Sequence, residues 1–147
     1  MPEKTTSVQI VLPQHCNGYK IPRLFGGQMM AWIDVVGAVA ARRYTNSAVT
    51  TACIDNLSFL APAYLNDTVV QEADVVWTGR TSLEVRVDSY VEQLDGIRRR
   101  VNRAYVVFVA IDENDEPIAV PPFVPTTDVE RREYDAALQR RKIRLGR

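Results

Sequence analysis

The stretch GGQMMAWIDVVGAVAARR, residues 26–43, decides the fold. Between Met29 and Ala41 every residue is apolar or Gly except Asp34. An apolar run of this length is too short to span a bilayer and predicts a helix that is buried on all sides. The Gly pair begins this helix, and the two arginines at its end suit the negative end of the helix dipole.

Asp34 has two interpretations that the residues alone leave open. It could be a structural carboxylate, satisfied by a nearby hydroxyl such as that of Thr50 or Thr51. The positions one turn away on the helix hold Met, Ala, Gly and Ala, so no cation on the helix pairs with it. An isolated carboxylate in an apolar setting is equally a candidate for a raised pKa, and therefore for a general base.

The pair Gly26-Gly27 is by itself typical of a tight turn before a helix. It also lets a ligand approach the backbone donors at the helix N-terminus, where the dipole favours negative charge. That is the arrangement an oxyanion requires. Asp34 follows Gly27 by about two turns on the same helix face, so a donor and a base could flank one cleft.

Composition limits the classes of function. Of the 147 residues, 18 are Lys or Arg and 18 are Asp or Glu, so no net charge points to nucleic acid or to an anionic membrane. The N-terminus has no secretory signal pattern. Two cysteines, Cys16 and Cys53, are too few for a disulfide framework or a metal site, and we expect free thiols in a reducing compartment. One histidine, His15, excludes most metal sites and Ser-His-Asp triads.

Alternation predicts one strand before the helix and four after it, at residues 5–12, 48–60, 67–79, 82–92 and 101–111. In the third of these, Trp77 shares the parity of Val75. The last is apolar on both parities, which indicates a central strand. A capping box at residues 127–130 begins a charged C-terminal helix that ends near residue 144. This order predicts an α+β fold in which an antiparallel sheet wraps around one helix.

Three further groups have both a structural and a functional interpretation. Asn17 is a turn residue beside Gly18, or an amide that orients a carbonyl or a water. The segment GRTS, residues 79–82, is a hairpin turn that could also present Arg80, Thr81 and Ser82 to a phosphate. The arginines at positions 98–100, with Arg103, are typical of a solvated loop, with diphosphate binding as the minority option.

The chain resembles the hotdog-fold acyl-CoA thioesterases, the small bacterial acyl-CoA hydrolases and their long-chain and brain-type relatives. Four segments carry the resemblance, in family order: HCNGYKIPRLFGGQMMAWIDVVGAVAARRY, VTTACIDNLSFLAPAYLNDTV, GRTSLEVRVDSYVE and YVVFVAIDENDEPIAVP. It implies a hotdog domain over residues 1–125, a charged C-terminal helix and tail over 126–147, and a homodimer that assembles into a hexamer or tetramer.

The resemblance also implies site residues, with each active site lying between two subunits. Asn17 comes from one chain and Asp34 from the other, and the backbone N–H of Gly27, beside Gly26, binds the thioester carbonyl. The segment with Arg80, Thr81 and Ser82 lies near coenzyme A. One departure is the loop GYKIPRLF, residues 18–25, which is longer than in these relatives.

We therefore expect a cytoplasmic acyl-CoA thioesterase that yields a free fatty acid and coenzyme A, with Asp34 as general base or, as the lesser option, as a nucleophile. Coenzyme A enters only as part of the substrate, and no metal or redox cofactor, nucleic acid or membrane is implied. The alternatives are a non-catalytic acyl-CoA sensor and a dehydratase or hydratase. The last needs a His on the helix, and the helix has none.

Overall fold

A five-stranded antiparallel sheet wraps around one long helix in the computed structural model, which describes residues 4–146. The helices are α1 (Gly26–Thr45) and α2 (Asp128–Arg144), and the strands are β1 (Thr5–Ile10), β2 (Cys16–Asn17), β3 (Arg23–Leu24), β4 (Ala48–Phe59), β5 (Thr68–Thr78), β6 (Ser82–Glu92) and β7 (Arg98–Ile111). The sheet order is β1-β5-β6-β7-β4, and β2 and β3 form a separate small hairpin. The α+β architecture, the strands and both helices are confirmed.

One face of α1 packs on the concave side of the sheet. Ile33 and Val36 are buried there, and Gly37 lets the helix approach, since a Cβ at that position would lie 3.2 Å from the Phe108 ring. The prediction that α1 is buried on all sides is wrong for the single chain, because the sheet covers only one side and Val35 remains 63% exposed. Within residues 4–146, no helix is both long and apolar enough to cross a membrane.

Trp77 lies on the opposite face of the sheet from the one its parity predicts. The register of β5 against β6 shifts between Val75 and Trp77, which is the signature of a β-bulge. Val75 therefore packs against the core under α1, whereas Trp77 packs against Ala137 of α2. A bulge reverses the face of the sheet on which every later residue of the strand lies. Alternation alone therefore could not predict the face on which Trp77 lies.

The arginines at positions 98–100 belong to a strand, which corrects the prediction of a solvated loop. β6 continues to Glu92, and antiparallel pairing with it draws these residues into β7, with Arg98 opposite Glu92 and Arg99 opposite Val91. The Arg98 guanidinium donates to Glu92 at 2.9 Å and to Glu72 at 3.2 Å. Charge on three successive residues indicated a loop, but cross-strand carboxylates satisfy the first of them.

Helix α2 covers the convex face of the sheet. Thr127 caps it, accepting from the Glu130 N–H at 3.1 Å in the predicted capping box. Glu84, on the parity opposite to the core, is only 1% exposed and accepts both hydrogen bonds of Arg140, at 3.0 and 2.9 Å. The polar face of β6 is thus buried through ion pairs.

Candidate active site

A cavity of about 440 Å³ lies at the N-terminus of α1. We call it the helix-start cavity. Its lining comes from the loop before the helix, the first helical turns and the segment after β4: Asn17, Arg23, Leu24, Phe25, Gly26, Met29 and residues 59–63. Two of the predicted site residues, Asn17 and Gly26, therefore lie at one cavity.

The start of α1 leaves its backbone donors without a side-chain cap. Phe25 occupies the N-cap position and makes no capping hydrogen bond, and Gly26 and Gly27 are exposed. The first N–H groups of a helix have no intrahelical partner and carry the positive end of its dipole. A Cβ at Gly26 would lie 3.4 Å from the Phe59 ring. The helix start therefore presents uncapped backbone N–H donors to an anionic oxygen. Gly27 itself is not among the residues that line the cavity.

The longer loop between Asn17 and Gly26 is folded as a hairpin. β2 and β3 pair so that Asn17 lies opposite Arg23. Gly18 takes a φ of 113°, a left-handed conformation that suits Gly, and Tyr19 is fully exposed. The additional residues project into solvent, and Asn17 stays at the cavity wall.

His15 has a structural role beside this hairpin. Its Nδ1 accepts the backbone N–H of Leu12 at 3.0 Å, and its ring makes an edge contact with Trp32, with the centroids 5.0 Å apart. Cys16 and Cys53 are free thiols, as predicted.

Asp34 is fixed by a hydroxyl from the sheet. Thr51 Oγ1 donates to Asp34 Oδ1 at 2.7 Å, which confirms one of the two hydroxyl partners that the sequence suggested. Thr51 faces α1 because it lies opposite Phe108, a core residue, while Thr50 points to the other side. Asp34 is half-buried rather than enclosed. Sequence reasoning treated Thr51 only as a structural partner and missed that it positions the candidate base.

The GRTS segment is a hairpin turn, and the structure does not bring it to the helix-start cavity within one chain. The Gly79 N–H donates to the Ser82 carbonyl at 2.8 Å. Ser82 is the first residue of β6. The cavity lies near the other end of this strand, because its lining residue Phe59 is opposite Asn102, which is itself opposite Ser89. At about 3.3 Å per residue, the two ends are roughly 20 Å apart.

A second cavity of about 350 Å³ lies between the last turns of α1 and helix α2. Arg43, Tyr44, Phe123 and Glu133 are among its lining residues, but none of the predicted site residues is. We therefore assign the candidate site to the helix-start cavity.

Sequence comparison finds relatives over almost the whole chain. The thioesterase superfamily model matches residues 22–96. A Bacillus subtilis protein named as an uncharacterized acyl-CoA thioester hydrolase is 34% identical over 145 residues, which cover 98% of this chain and 83% of that protein. The chain spans 27% of the length of a rat acetyl-coenzyme A thioesterase and 25% of a mouse acyl-coenzyme A thioesterase.

Comparison with solved structures likewise finds acyl-CoA hydrolases and thioesterases as relatives over almost the whole chain. An acyl-CoA hydrolase from Staphylococcus aureus, in complex with butyryl coenzyme A, coenzyme A and coenzyme A disulfide, is 33% identical with a TM-score of 0.88, covering 97% of this chain and 87% of that one. An apo-hexameric acyl-CoA thioesterase is 36% identical with a TM-score of 0.89, covering 97% and 91%.

Structures of the Staphylococcus aureus enzyme also exist for three variants, in which Ala replaces one Asn, one Asp or one Thr. The replaced Asp and Thr are 17 positions apart in that enzyme, the same separation as Asp34 and Thr51 here.

Proposed function

The chain belongs to the thioesterase superfamily and, within it, to the hotdog-fold acyl-CoA hydrolases, and we propose that it hydrolyses acyl-CoA to a free fatty acid and coenzyme A. The observation that carries the proposal is the 2.7 Å hydrogen bond from Thr51 to Asp34. It fixes a carboxylate on the helix whose N-terminus opens into the helix-start cavity, and it occupies only one of the two carboxylate oxygens. The other oxygen can take a proton from water.

In the proposed mechanism the thioester carbonyl oxygen accepts a hydrogen bond from the Gly27 N–H. Asp34 removes a proton from water as the water oxygen attacks the carbonyl carbon, and Asn17 orients the water or the carbonyl. The charge that develops on the carbonyl oxygen faces the positive end of α1. The C–S bond then breaks, and the thiolate of coenzyme A leaves and takes up a proton. In the variant of this scheme, Asp34 attacks the carbonyl carbon directly and expels the coenzyme A thiolate, and water then hydrolyses the mixed anhydride to the free acid and the Asp34 carboxylate. Neither route uses a metal or redox cofactor.

We infer that the active form is at least a dimer, joined at β4. This strand is at the edge of the sheet, and residues at its end and on α1 leave apolar side chains exposed: Met30 at 39%, Val35 at 63%, Phe59 at 54% and Leu60 at 57%. A long edge strand with apolar neighbours calls for a covering partner. The hexameric assembly of the related thioesterase supports higher association.

A two-fold axis at this edge would pair the two β4 strands antiparallel. Thr51 lies near the start of β4 and Phe59 at its end. Antiparallel pairing therefore turns the partner's Thr51 and the partner's Asp34 towards the helix-start cavity of the first chain. This supports a site that takes Asn17 and Gly27 from one subunit and Asp34 from the other. The same pairing turns the partner's GRTS hairpin towards this end, as a coenzyme A contact would require.

The relatives support these roles, since variants of the Staphylococcus aureus enzyme replace an Asn, an Asp and a Thr. In that chain the Asn precedes the Asp by two residues fewer than Asn17 precedes Asp34 here, which matches the longer hairpin turn. Two free thiols suit a reducing compartment, and we place the activity in the cytoplasm.

The test is the Asp34→Asn variant, assayed with an acyl-CoA panel and a thiol reagent that detects released coenzyme A. Removal of the base should lower kcat on the order of 10²-fold or more, because the amide cannot take the proton. The Asp135→Asn variant is the matched control, since it makes the same change at an exposed helix position.

Near-normal turnover by Asp34→Asn, with folding and association intact, would contradict the assignment of the base. If the unaltered protein released coenzyme A from no substrate in the panel, the proposal of an enzyme would be replaced by that of an acyl-CoA sensor.

A further inference from the structure

The three successive arginines at the start of β7 point to different sides of the sheet. Arg98 and Arg100 lie opposite Glu92 and Tyr90, on the convex face. Arg99 lies opposite Val91, which belongs to the core under α1. Strand alternation therefore directs only Arg99 to the side on which the helix-start cavity opens.

Arg99 reaches the rim of that cavity. Its Nη2 donates to the carbonyl oxygen of Pro62 at 3.4 Å, and Pro62 is one of the lining residues. This contact uses one of the five N–H donors of the guanidinium. The side chain is exposed, so the remaining donors are accessible to a ligand at the cavity mouth.

A second guanidinium lies at the same cavity. Arg23 lines it directly and stands over the ring of Tyr64, with its Cζ 5.8 Å from the centroid. No Asp or Glu lines the cavity among residues 4–146. Within the described part of one chain, the positive charge at the rim therefore has no carboxylate of the cavity lining beside it, and the dipole of α1 has the same sign at this end.

We propose that Arg23 and Arg99 bind the phosphate groups of coenzyme A at the mouth of the helix-start cavity. This inference rests on the proposed function. The thioester must lie at Gly27, because only then does the nucleotide part of coenzyme A leave the cavity past Arg23 and Arg99. Guanidinium groups present paired donors that match phosphate oxygens, and they remain charged at any physiological pH. Arg23 and Arg99 then form a phosphate subsite distinct from the GRTS hairpin, where the sequence placed the coenzyme A contacts.

The experiment compares an acyl-CoA with the acyl-pantetheine that carries the same acyl group and lacks all phosphates. Kinetic constants are measured for Arg23→Gln, Arg99→Gln and the double variant, and the binding of coenzyme A and of pantetheine is measured by calorimetry. Arg100→Gln is the matched control on the opposite face of the same strand, and Arg80→Gln tests the GRTS hairpin.

The double variant should raise KM for acyl-CoA about tenfold or more relative to KM for acyl-pantetheine, because two charge-assisted contacts are lost. The dependence of this KM on ionic strength should weaken as well. Arg100→Gln should behave as the unaltered protein does. The affinity for coenzyme A, but not for pantetheine, should fall by a similar factor.

Equal changes for both substrates would overturn the proposal, since they would indicate a distorted cavity. So would an unchanged KM ratio, or an effect confined to Arg80→Gln. The calorimetric result stands even if no substrate is turned over, so a failure of the proposed catalysis is distinguishable from a failure of the phosphate subsite.

Discussion

Asp34 is kept in an apolar helix by one hydroxyl from a different element. A carboxylate that lacked any partner in this half-buried position would carry a desolvation penalty, and Thr51 offsets it with a short hydrogen bond. The bond also sets which oxygen faces away from the sheet. A single pair, Asp34 and Thr51, therefore contributes both to the stability of the fold and to the proposed chemistry.

Thr51→Val should lower kcat while leaving KM within a small factor. A hydrogen bond to a charged group contributes about 1.5–3 kcal/mol, and its loss from the positioning of the base should lower the rate roughly 10- to 100-fold. Thr51→Ser, which keeps the hydroxyl, should restore most of the activity. Thr50→Val, one residue away on the other face of β4, is the control. A rise in KM with unchanged kcat would assign Thr51 to binding instead.

Helix α2 shows how the polar face of a β-strand can be buried. Burial is the largest single influence on the pKa of Arg140 and lowers it, but the hydrogen bonds to Glu84 and the attraction of the surrounding negative groups together outweigh burial and raise this pKa above its ordinary value. The guanidinium also stacks on Tyr105, with its Cζ 3.5 Å from the ring centroid. Burial raises the pKa of the Tyr105 phenol, and the nearby carboxylate of Glu133 adds to the effect. The ion pair Glu84–Arg140 therefore holds the helix on the sheet.

Arg140→Met should destabilise the fold by about 3–5 kcal/mol, because it leaves the buried Glu84 carboxylate without its partner. Urea unfolding followed by circular dichroism measures this. The double variant Glu84→Gln with Arg140→Met should recover much of the loss. The control is Arg131→Met, whose pair with Asp128 is exposed and should contribute less than about 1 kcal/mol. A loss no larger than that of the control would mean that α2 is not held by this pair.

The elements themselves were largely predictable from the sequence, and their contacts were not. The alternation of β6 and the capping box of α2 are local patterns, so they predict strand and helix directly. The bulge before Trp77 and the pairing of Arg98 with Glu92 depend on the neighbouring strand, which no local pattern contains. In the candidate site, the position of Asp34 followed from its own helix. The cavity shared by Asn17 and Gly26 depends on a hairpin whose register the sequence does not reveal.

In the whole molecule, the proposed dimer would make each chain contribute parts of two sites rather than one complete site. Asn17 and Gly26 line the helix-start cavity, while Asp34 faces Thr51 further along α1. A shared site predicts that two inactive variants can complement each other. A site built within one chain predicts that they cannot.

Asn17→Ala and Asp34→Asn should each lack activity alone and regain part of it when the two are co-expressed. Random pairing of two subunit types puts half of the dimers in mixed form, and each mixed dimer has one intact site. The recovered activity should therefore approach about a quarter of the unaltered value. Mixing the purified variants without subunit exchange is the control. An absence of recovery in verified mixed dimers would place both residues in the same subunit.

The contact between His15 and Trp32 has a spectroscopic consequence. Trp32 lies beside the hairpin that carries Asn17, whereas Trp77 lies beneath α2. The chain has two tryptophans, and they report on separate regions. A change in emission with Trp77 replaced reports on the helix start, where substrate would enter, and a change with Trp32 replaced reports on the docking of α2. Fluorescence can thus follow the two regions independently, without an attached label.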